Sequence, residues 1–235
     1  MMKKILYGIL FLVIFLTGCG QSQNEETENG ATTDNTAEVD GLESEQVGNG
    51  GVEATIAIAY FTRPENLEQE PEIEAVSRAS FNIVDGELAG DVRILAEMIA
   101  EETGGEIFSI QTVSGYPNIY DEHTATATVE VEEDARPELI ENTEELENAD
   151  VLFIGFPIWW NRAPRAILTF LESNDFSNKQ IVPFATHGGN GLTNSQNELE
   201  LLYPDYEFLP GFGVRGGNVE ASETNLQDWL TEIGF

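Results

Sequence analysis

The sequence predicts an α/β fold in which a mostly parallel sheet is covered by helices on both faces. The first observation is a set of short apolar segments, at residues 55–61, 151–156 and 180–185, each with the length and composition of a strand buried on both faces. The second is that each segment stops at a loop containing glycine, proline or threonine. The third is that apolar residues at helical spacing follow these loops, as in a parallel sheet with crossover helices.

The composition of the 235-residue chain limits its possible functions. Lys and Arg total 10 against 43 Asp and Glu, so the net charge of −33 argues against nucleic acid as a partner and against electrostatic docking on anionic lipid. Such a surface suits a cationic partner, or is simply well solvated. Because Cys19 is the single cysteine and the two histidines match no metal-ligand spacing, we expect no intrachain disulfide and no metal site.

The N-terminus has the pattern of a secretory signal. Two lysines precede an apolar run at residues 5–16, which is too short to span a bilayer comfortably. The sequence LTGC that ends at Cys19 resembles a bacterial lipobox. By that resemblance residues 1–18 are a lipoprotein signal peptide and Cys19 is the lipidated first residue of the mature protein, anchored to the membrane. The alternative is a plain signal peptide with a cysteine near its end.

A tether and one folded domain are expected after the signal. Residues 19–51 are acidic and nearly free of large apolar side chains, so they cannot bury enough surface to fold. We therefore predict a disordered acidic tether over residues 19–51 and a folded domain over residues 52–235.

The elements of the folded domain are expected in the following order. Strands are predicted at residues 55–61, 106–111, 151–156, 180–185 and 206–209, the last with an extension towards residue 214. Helices are predicted at residues 90–103, after Pro164, after Gly191 and at 223–233. The polar stretch 65–87 has no assignment apart from a short hairpin-like excursion at 79–84, residues 115–131 are interpreted as irregular, and residues 136–148 as helix-prone.

Three loops follow the predicted strands and would lie along one edge of the sheet. They are Thr62-Arg63 with Gly90 after the insertion, residues 157–163, and residues 186–191. A Gly-rich or hydroxyl-bearing turn that enters a helix presents N–H groups to a phosphate. Paired aromatics can stack on a ring system, and glycines allow backbone groups to approach a ring edge. Together the loops predict a pocket for a phosphorylated aromatic mononucleotide.

Four segments of the chain resemble the flavodoxin-like family. They are YFTR at residues 60–63, AGDVRILAEMIAEETGGEIFSI at 89–110, GFPIWWNRAPRAILTFLE at 155–172 and IVPFATHGGNGL at 181–192. The resemblance implies a three-layer flavodoxin-like fold with a five-stranded parallel sheet in the order 2-1-3-4-5 and helices on both faces. It also implies FMN as the cofactor, bound at the carboxyl ends of the strands, with residues 157–163 on one face of the isoalloxazine and residues 186–191 at its edge.

The resemblance implies a set of FMN-binding residues in the three loops. They are Thr62, Arg63, Gly90, Asp91, Val92, Pro157, Ile158, Trp159, Trp160, Asn161, Thr186, His187, Gly188, Gly189 and Gly191. Where the family has Gly-Asn-Thr at the phosphate, this chain has Gly90-Asp91-Val92, and Arg63 or Arg93 could offset the added carboxylate. Either tryptophan could instead be a core residue, and His187 a hydrogen-bonding loop residue.

The expected function is FMN-dependent electron transfer by a lipid-anchored protein at the outer face of the cytoplasmic membrane. Redox partner proteins or the membrane quinone pool are the expected partners, because NAD(P)H is not expected outside the membrane. One alternative is an NAD(P)H-dependent flavin or quinone reductase, and another is a non-redox binding module that has lost tight FMN binding. The run Gly-x-Gly-x-x-Gly at residues 211–216 is not taken as a dinucleotide motif, since no βαβ unit follows it.

Overall fold

A computed structural model describes residues 54–68, 81–84, 87–140 and 146–235. The predicted signal peptide, the lipidation site Cys19 and the acidic tether lie outside these residues, as do parts of the insertion before residue 87. Within the described segments, no helix is both long enough and apolar enough to span a bilayer.

The described chain forms eight strands and five α-helices. The strands are β1 (Ile56–Tyr60), β2 (Phe81–Val84), β3 (Glu87–Gly90), β4 (Glu106–Ser109), β5 (Val151–Pro157), β6 (Gln180–His187), β7 (Glu207–Phe208) and β8 (Phe212–Arg215). The helices are α1 (Asp91–Thr103), α2 (Tyr120–Glu132), α3 (Arg165–Ser173), α4 (Thr193–Leu202) and α5 (Glu223–Ile233).

The main sheet is parallel and confirms the predicted strand order. Its order is β4-β1-β5-β6, and both β7 and β8 pair with β6 as two halves of a fifth strand. The fifth strand is interrupted between Phe208 and Phe212, where Pro210 has no N–H to donate. Gly211 lies close to the sheet at this break, since a Cβ atom on it would approach the Pro183 carbonyl oxygen to 2.6 Å. The break therefore follows from a proline and a close backbone approach.

Side chains that alternate along the strands form one core on each face of the sheet. In β1, Ala57 and Ala59 face one core, whereas Ile58 and Tyr60 face the other. The first core contains residues of α3 and Leu199 of α4, and the second contains residues of α1 and α5. The helices therefore cover both faces of the sheet, which confirms the three-layer architecture.

Helix α1 has the bounds that its apolar spacing predicts. Its buried residues include Val92, Leu95 and Ile99, and Gly104 ends the helix in the left-handed conformation at φ 70°. The following Gly105 packs closely on β1, since a Cβ atom there would lie 2.7 Å from Ile56 Cγ2. Gly104 therefore ends the helix through its left-handed conformation, and Gly105 allows the chain to pass close to β1 before β4 begins.

Two predictions of local structure were wrong. Residues 115–131, interpreted as irregular, contain most of α2, whose buried face is limited to His123 and Ala127 and so gives little apolar periodicity. Described residues 136–140, interpreted as helix-prone, are extended: Val113 N–H donates to the Glu138 carbonyl at 2.8 Å. Pro137 explains the second error, because a proline disfavours the helical conformation at the residue before it.

The insertion between β1 and α1 contains an antiparallel hairpin. Strands β2 and β3 pair from Phe81 opposite Gly90 to Val84 opposite Glu87. The sequence predicted a hairpin-like excursion in this region, and the described part of it agrees. Since β3 runs directly into α1, the hairpin lies next to the predicted phosphate-binding turn.

Candidate functional site

The three predicted loops lie at one edge of the sheet. Tyr60 of β1 is in register with Gly155 of β5, and Pro157 of β5 is in register with Thr186 of β6. The loops therefore leave neighbouring parallel strands at their carboxyl ends, which is where open α/β sheets bind ligands.

The first loop is held by a buried asparagine that was not predicted from the sequence. Asn66 Nδ2 donates to the Thr62 carbonyl at 2.9 Å and to the Ile110 carbonyl at 3.1 Å, and Asn66 Oδ1 accepts from the Thr112 N–H at 2.8 Å. The side chain therefore ties the loop after β1 to the segment after β4. No sequence pattern marked Asn66, because two of its three partners, Ile110 and Thr112, lie 44 and 46 residues away in sequence.

Arg63 is buried and directed towards the next loop and the hairpin. Its Nη2 donates to the Asn118 carbonyl at 2.9 Å, and its guanidinium lies 4.9 Å from the centre of the Phe81 ring. Burial lowers the pKa of Arg63, but the group stays cationic at any physiological pH. Its Nε has no hydrogen-bond partner in the described chain.

Gly90 brings the start of α1 against the end of β1. A Cβ atom on Gly90 would lie 1.8 Å from Thr62 Oγ1, so only glycine permits this approach. Asp91 is fully buried, and its Oδ2 accepts from the Gly217 N–H at 3.2 Å. Val92 packs in the core that contains α1, so its side chain is directed away from the edge.

The second loop is a two-residue hairpin turn. The Ile158 N–H donates to the Thr186 carbonyl at 2.8 Å, which continues the pairing of β5 with β6. Trp159 and Arg162 then exchange two backbone hydrogen bonds, at 3.0 and 2.9 Å. The central residues Trp160 and Asn161 have φ values of 52° and 63°. Such turns favour Asn and Gly at both positions, so a tryptophan here is unusual.

The two tryptophans of this loop differ in environment. Trp159 packs edge-on against Phe61, Tyr116 and His123, with ring-centre distances of 5.5, 5.1 and 4.4 Å. Trp160 is 61% exposed. Trp159 is therefore part of the aromatic packing beneath the loop, and Trp160 is the ring open to solvent.

His123 and Tyr116 complete this aromatic cluster, and neither was predicted from the sequence as a site residue. His123 is 4% exposed, and burial together with the charge of Arg63 lowers its pKa to about 3, so the imidazole is neutral. The Tyr116 hydroxyl donates to Glu130 at 3.1 Å. The spacing of His123 and Ala127 by one helical turn is the signal that could have indicated a buried face of α2.

The third loop is glycine-rich and contacts the second. Gly188, Gly189 and Gly191 each have open space where a Cβ atom would be, and Gly191 has a φ of 74°. The Asn190 amide donates to Asn161 Oδ1, which joins the two loops. Burial lowers the pKa of the neighbouring His187, with a smaller contribution from Arg215.

The edge contains buried polar atoms that lack a partner in the described part of the chain. These atoms are Thr62 Oγ1, Thr186 Oγ1 and His187 Nδ1, together with Asp91 Oδ1. Buried polar groups are ordinarily hydrogen-bonded, so such a group of atoms is suited to a ligand with polar atoms of its own. The exposed Trp160 and the open glycine loop fit the flat ring of FMN. The hydroxyl of Thr62 fits its phosphate, whereas the Asp91 carboxylate has the same charge as that phosphate.

A further cavity in the described part of the chain lies away from the three loops. A cavity of about 550 Å³ lies between residues 146–150 and 173–179, which precede β5 and β6 and so lie at the opposite edge of the sheet. Among the residues whose structure is described, no group of three or more His, Cys, Asp or Glu could hold a metal ion.

Comparisons with known proteins agree with this fold. The family model described as Flavodoxin matches residues 86–233, more than half of the chain. A protein described as a flavoprotein from Bacteroides eggerthii DSM 20697 is 27% identical, with a TM-score of 0.61 over 77% of this chain and 99% of that one. A similar protein from Bacteroides uniformis ATCC 8492 is 27% identical, with a TM-score of 0.59 over 76% and 98%.

A more distant structure shares the fold. It is a flavoprotein in complex with FMN from Lactobacillus acidophilus NCFM, 16% identical with a TM-score of 0.51, covering 74% of this chain and 99% of that one. No curated protein sequence matches the chain.

Proposed function

The chain belongs to the flavodoxin family, and on that basis we propose that it binds FMN at the three loops and transfers electrons. The bound flavin supplies the redox chemistry, and the protein supplies binding, orientation and electrostatics. FMN is the best-supported cofactor. The support comes from the family, from the ring-binding geometry of two loops and from the unpartnered atoms of Thr62 and Thr186.

Trp160 is the observation that carries this proposal. Its indole is 61% exposed, and its φ of 52° lies in the left-handed region. Exposure leaves apolar surface in water, and a non-glycine residue in that region costs about 1–2 kcal/mol. Nothing in the folding of the loop requires a tryptophan here, so a binding role for the ring accounts for both features.

Each loop would contribute a different part of the site. Trp160 would lie against a face of the isoalloxazine, and the glycines of the third loop would admit its edge. Thr186 Oγ1 and His187 Nδ1 are buried atoms with free hydrogen-bonding capacity next to that loop, and Thr62 Oγ1 has the same capacity at the start of α1. Stacking on Trp160 and hydrogen bonds with these three atoms would hold the flavin in one orientation.

A flavin titration tests this function. Adding the purified protein to FMN should quench flavin fluorescence with micromolar or tighter affinity, and Trp160→Asn should weaken the affinity at least about tenfold. Trp159→Phe is the matched control, because that ring packs beneath the loop. No quenching by the native protein at high micromolar concentrations would contradict the FMN proposal.

Membrane attachment through Cys19 is a second part of the proposal. The LTGC sequence and the acidic stretch that follows support a lipid anchor and tether at the outer face of the cytoplasmic membrane. Electrons would then come from redox partner proteins or the membrane quinone pool. In cells, Cys19→Ser should move the protein from the membrane fraction to the soluble fraction, and a native protein found only in the soluble fraction would contradict the anchor.

A non-redox binding module is the second candidate function, and Asp91 favours it. The buried carboxylate at the start of α1 opposes a phosphate dianion, as expected if tight FMN binding had been lost. Photoreduction of the protein with FMN distinguishes the candidates: an electron carrier should be reduced and reoxidised reversibly with its flavin bound, and a binding module should release the flavin. Oxidation of NADH or NADPH by the FMN-loaded protein would instead indicate a reductase.

A further inference from the structure

Asp91 occupies a distinctive position in the predicted phosphate-binding turn. It is the first residue of α1, its side chain is fully buried, and Oδ2 accepts from the Gly217 N–H in the loop that follows β8. That bond uses one of the two carboxylate oxygens. Oδ1 is buried and has no hydrogen-bond partner in the described chain.

A second buried oxygen marks the same place. Thr62 is 1% exposed, and its Oγ1 is directed at the start of α1, where it would lie 1.8 Å from a Cβ atom on Gly90. Thr62 Oγ1 likewise has no hydrogen-bond partner among the described residues. Two unpartnered oxygens, one from the end of β1 and one from the first residue of α1, therefore flank the N-terminus of a 13-residue helix. Free N–H groups at such a terminus attract anions.

The described surroundings provide no cation to neutralise Asp91. Glu220, in the short helical turn before α5, is the charged side chain that acts on Asp91, and its charge has the same sign. Arg63 donates to the Asn118 carbonyl, and Arg93 is exposed and paired with Glu97 and Glu65. Burial is the main cause that raises the pKa of the Asp91 carboxyl, and the Gly217 N–H opposes it.

We propose, given the flavin site proposed above, that Asp91 determines the phosphate selectivity of that site. With the carboxylate ionised, the site gains little from the phosphate of FMN and binds FMN and riboflavin with similar affinity. With the carboxyl protonated, Oδ1 becomes a donor to a phosphate oxygen, and FMN is preferred. FMN binding therefore favours the protonated form of Asp91, whereas riboflavin binding does not depend on its protonation.

The charge at Asp91 also determines how binding depends on pH. The second ionisation of a phosphate monoester has a pKa of about 6, so the ligand is mostly dianionic above that value. Burial raises the pKa of the Asp91 carboxyl, so a fall in pH favours the protonated form of this buried group in the turn. FMN affinity should therefore rise relative to riboflavin affinity as the pH falls.

The test is a pair of flavin titrations with the full-length protein, using FMN and riboflavin at pH 6.5, 7.2 and 8.0. The variants are Asp91→Asn, which removes the charge and retains an oxygen acceptor for the Gly217 N–H, and Asp228→Asn, which removes an exposed charge on α5. In the native protein the ratio of FMN affinity to riboflavin affinity should be higher at pH 6.5 than at pH 8.0. Asp91→Asn should raise the ratio of FMN affinity to riboflavin affinity at least about tenfold at pH 8.0 and abolish the pH dependence of that ratio. Asp228→Asn should leave the ratio and its pH dependence unchanged.

Riboflavin affinity serves as an internal control for folding of the Asn variant, and the native pH series needs no variant at all. If both flavins bind and Asp91→Asn leaves their ratio and its pH dependence unaltered, the selectivity proposal is wrong while the flavin site stands. If neither flavin binds to the native protein or the variant, the flavin site and this inference both fail.

Discussion

Trp159 and Trp160 are adjacent in sequence and face opposite environments. The Trp159 ring lies 4.4 Å from the buried His123 ring and 5.5 Å from Phe61, whereas Trp160 is 61% exposed. The turn between β5 and α3 produces this difference, because Trp160 and Asn161 both have positive φ. The loop therefore separates a packing tryptophan from one that is free to contact a ligand.

Substitutions of the two tryptophans should separate binding from stability. Trp160→Asn removes exposed apolar surface and puts a residue that tolerates positive φ into the turn, so we expect the free energy of unfolding to stay the same or rise by up to about 1 kcal/mol. FMN affinity should fall at least about tenfold at the same time. Trp159→Ala should instead lower the free energy of unfolding by about 2–4 kcal/mol, because it leaves a cavity beside Phe61 and His123.

Urea unfolding and flavin titration of the same preparations measure the two effects. Trp160→Phe is the matched control for binding, since it keeps an aromatic face and the strained turn. A Trp160→Asn protein that binds FMN as tightly as the native protein would show that this ring is not part of the site.

The sheet and the position of the three loops at one of its edges were predictable, because the sequence signals for them are local. Strands such as β5 are continuous apolar runs that end at a proline or glycine, and α1 has both a regular apolar face and a glycine stop. Each of these signals lies within a dozen residues of the element it predicts. The positions of the three loops then follow from the rule that parallel strands end at one edge.

The parts that sequence could not predict depend on contacts between distant residues. Which tryptophan packs inward depends on the φ values of a turn and on α2, whose buried face is too small to give a helical pattern. The role of Asn66 depends on Thr62, Ile110 and Thr112, which lie up to 46 residues away in sequence. Asp91 could be recognised as unusual in sequence, but its bond to Gly217 spans 126 residues.

Gly90→Ala should destabilise the protein through one contact. The backbone at Gly90 has a φ of −90°, which any residue can adopt, so the effect comes from the new Cβ atom 1.8 Å from Thr62 Oγ1. We expect a loss of about 1–3 kcal/mol in the free energy of unfolding. Thr62→Ala in the same chain removes that oxygen and should restore part of the loss, although the Thr62 Cβ atom at 2.9 Å remains close.

A double-mutant cycle in urea measures this coupling between positions 62 and 90. Strictly additive effects of the two substitutions would contradict the close approach of Thr62 to the start of α1.

His123 should make stability depend on pH in a defined range. Its pKa is lowered to about 3 by burial and by Arg63, whereas an unfolded histidine titrates at about 6.5. The unfolded chain therefore binds a proton at His123 that the folded chain does not bind. The contribution of the neutral His123 to the free energy of unfolding is fully present above about pH 6.5 and is lost as the pH falls from there towards 3. His123→Phe should remove up to about 1.4 kcal/mol of that loss per pH unit.

Urea unfolding of both proteins from pH 7 to pH 5 checks this slope, because the carboxylates are common to both proteins and their titration cancels in the difference. His123 Nδ1 has no hydrogen-bond partner in the described chain, so replacing it with phenylalanine breaks no hydrogen bond of that atom. Phenylalanine also keeps an aromatic ring beside Trp159. His187→Gln is the control, as that imidazole is only partly buried. Equal slopes for the native protein and His123→Phe would show that His123 titrates normally in the fold.

Asn66 should be more important for stability than any other polar residue of the first loop. Its amide group donates to two carbonyls and accepts from the Thr112 N–H, all in a buried setting. Asn66→Ala leaves these three backbone groups without partners, so we expect the free energy of unfolding to fall by about 2–4 kcal/mol. Asn66→Asp separates the two roles, because a carboxylate can still accept from Thr112 but cannot donate to Thr62 or Ile110.

Thermal unfolding at pH 7 should therefore rank the native protein above both variants, with Asn66→Asp at least as unstable as Asn66→Ala because it adds a buried charge. Hydrogen exchange at the Thr112 N–H adds a local measurement: it should accelerate in Asn66→Ala and stay protected in Asn66→Asp. An alanine variant with native stability would mean that the loop after β1 is held by other contacts, and the position of Thr62 at the proposed flavin site would then not depend on Asn66.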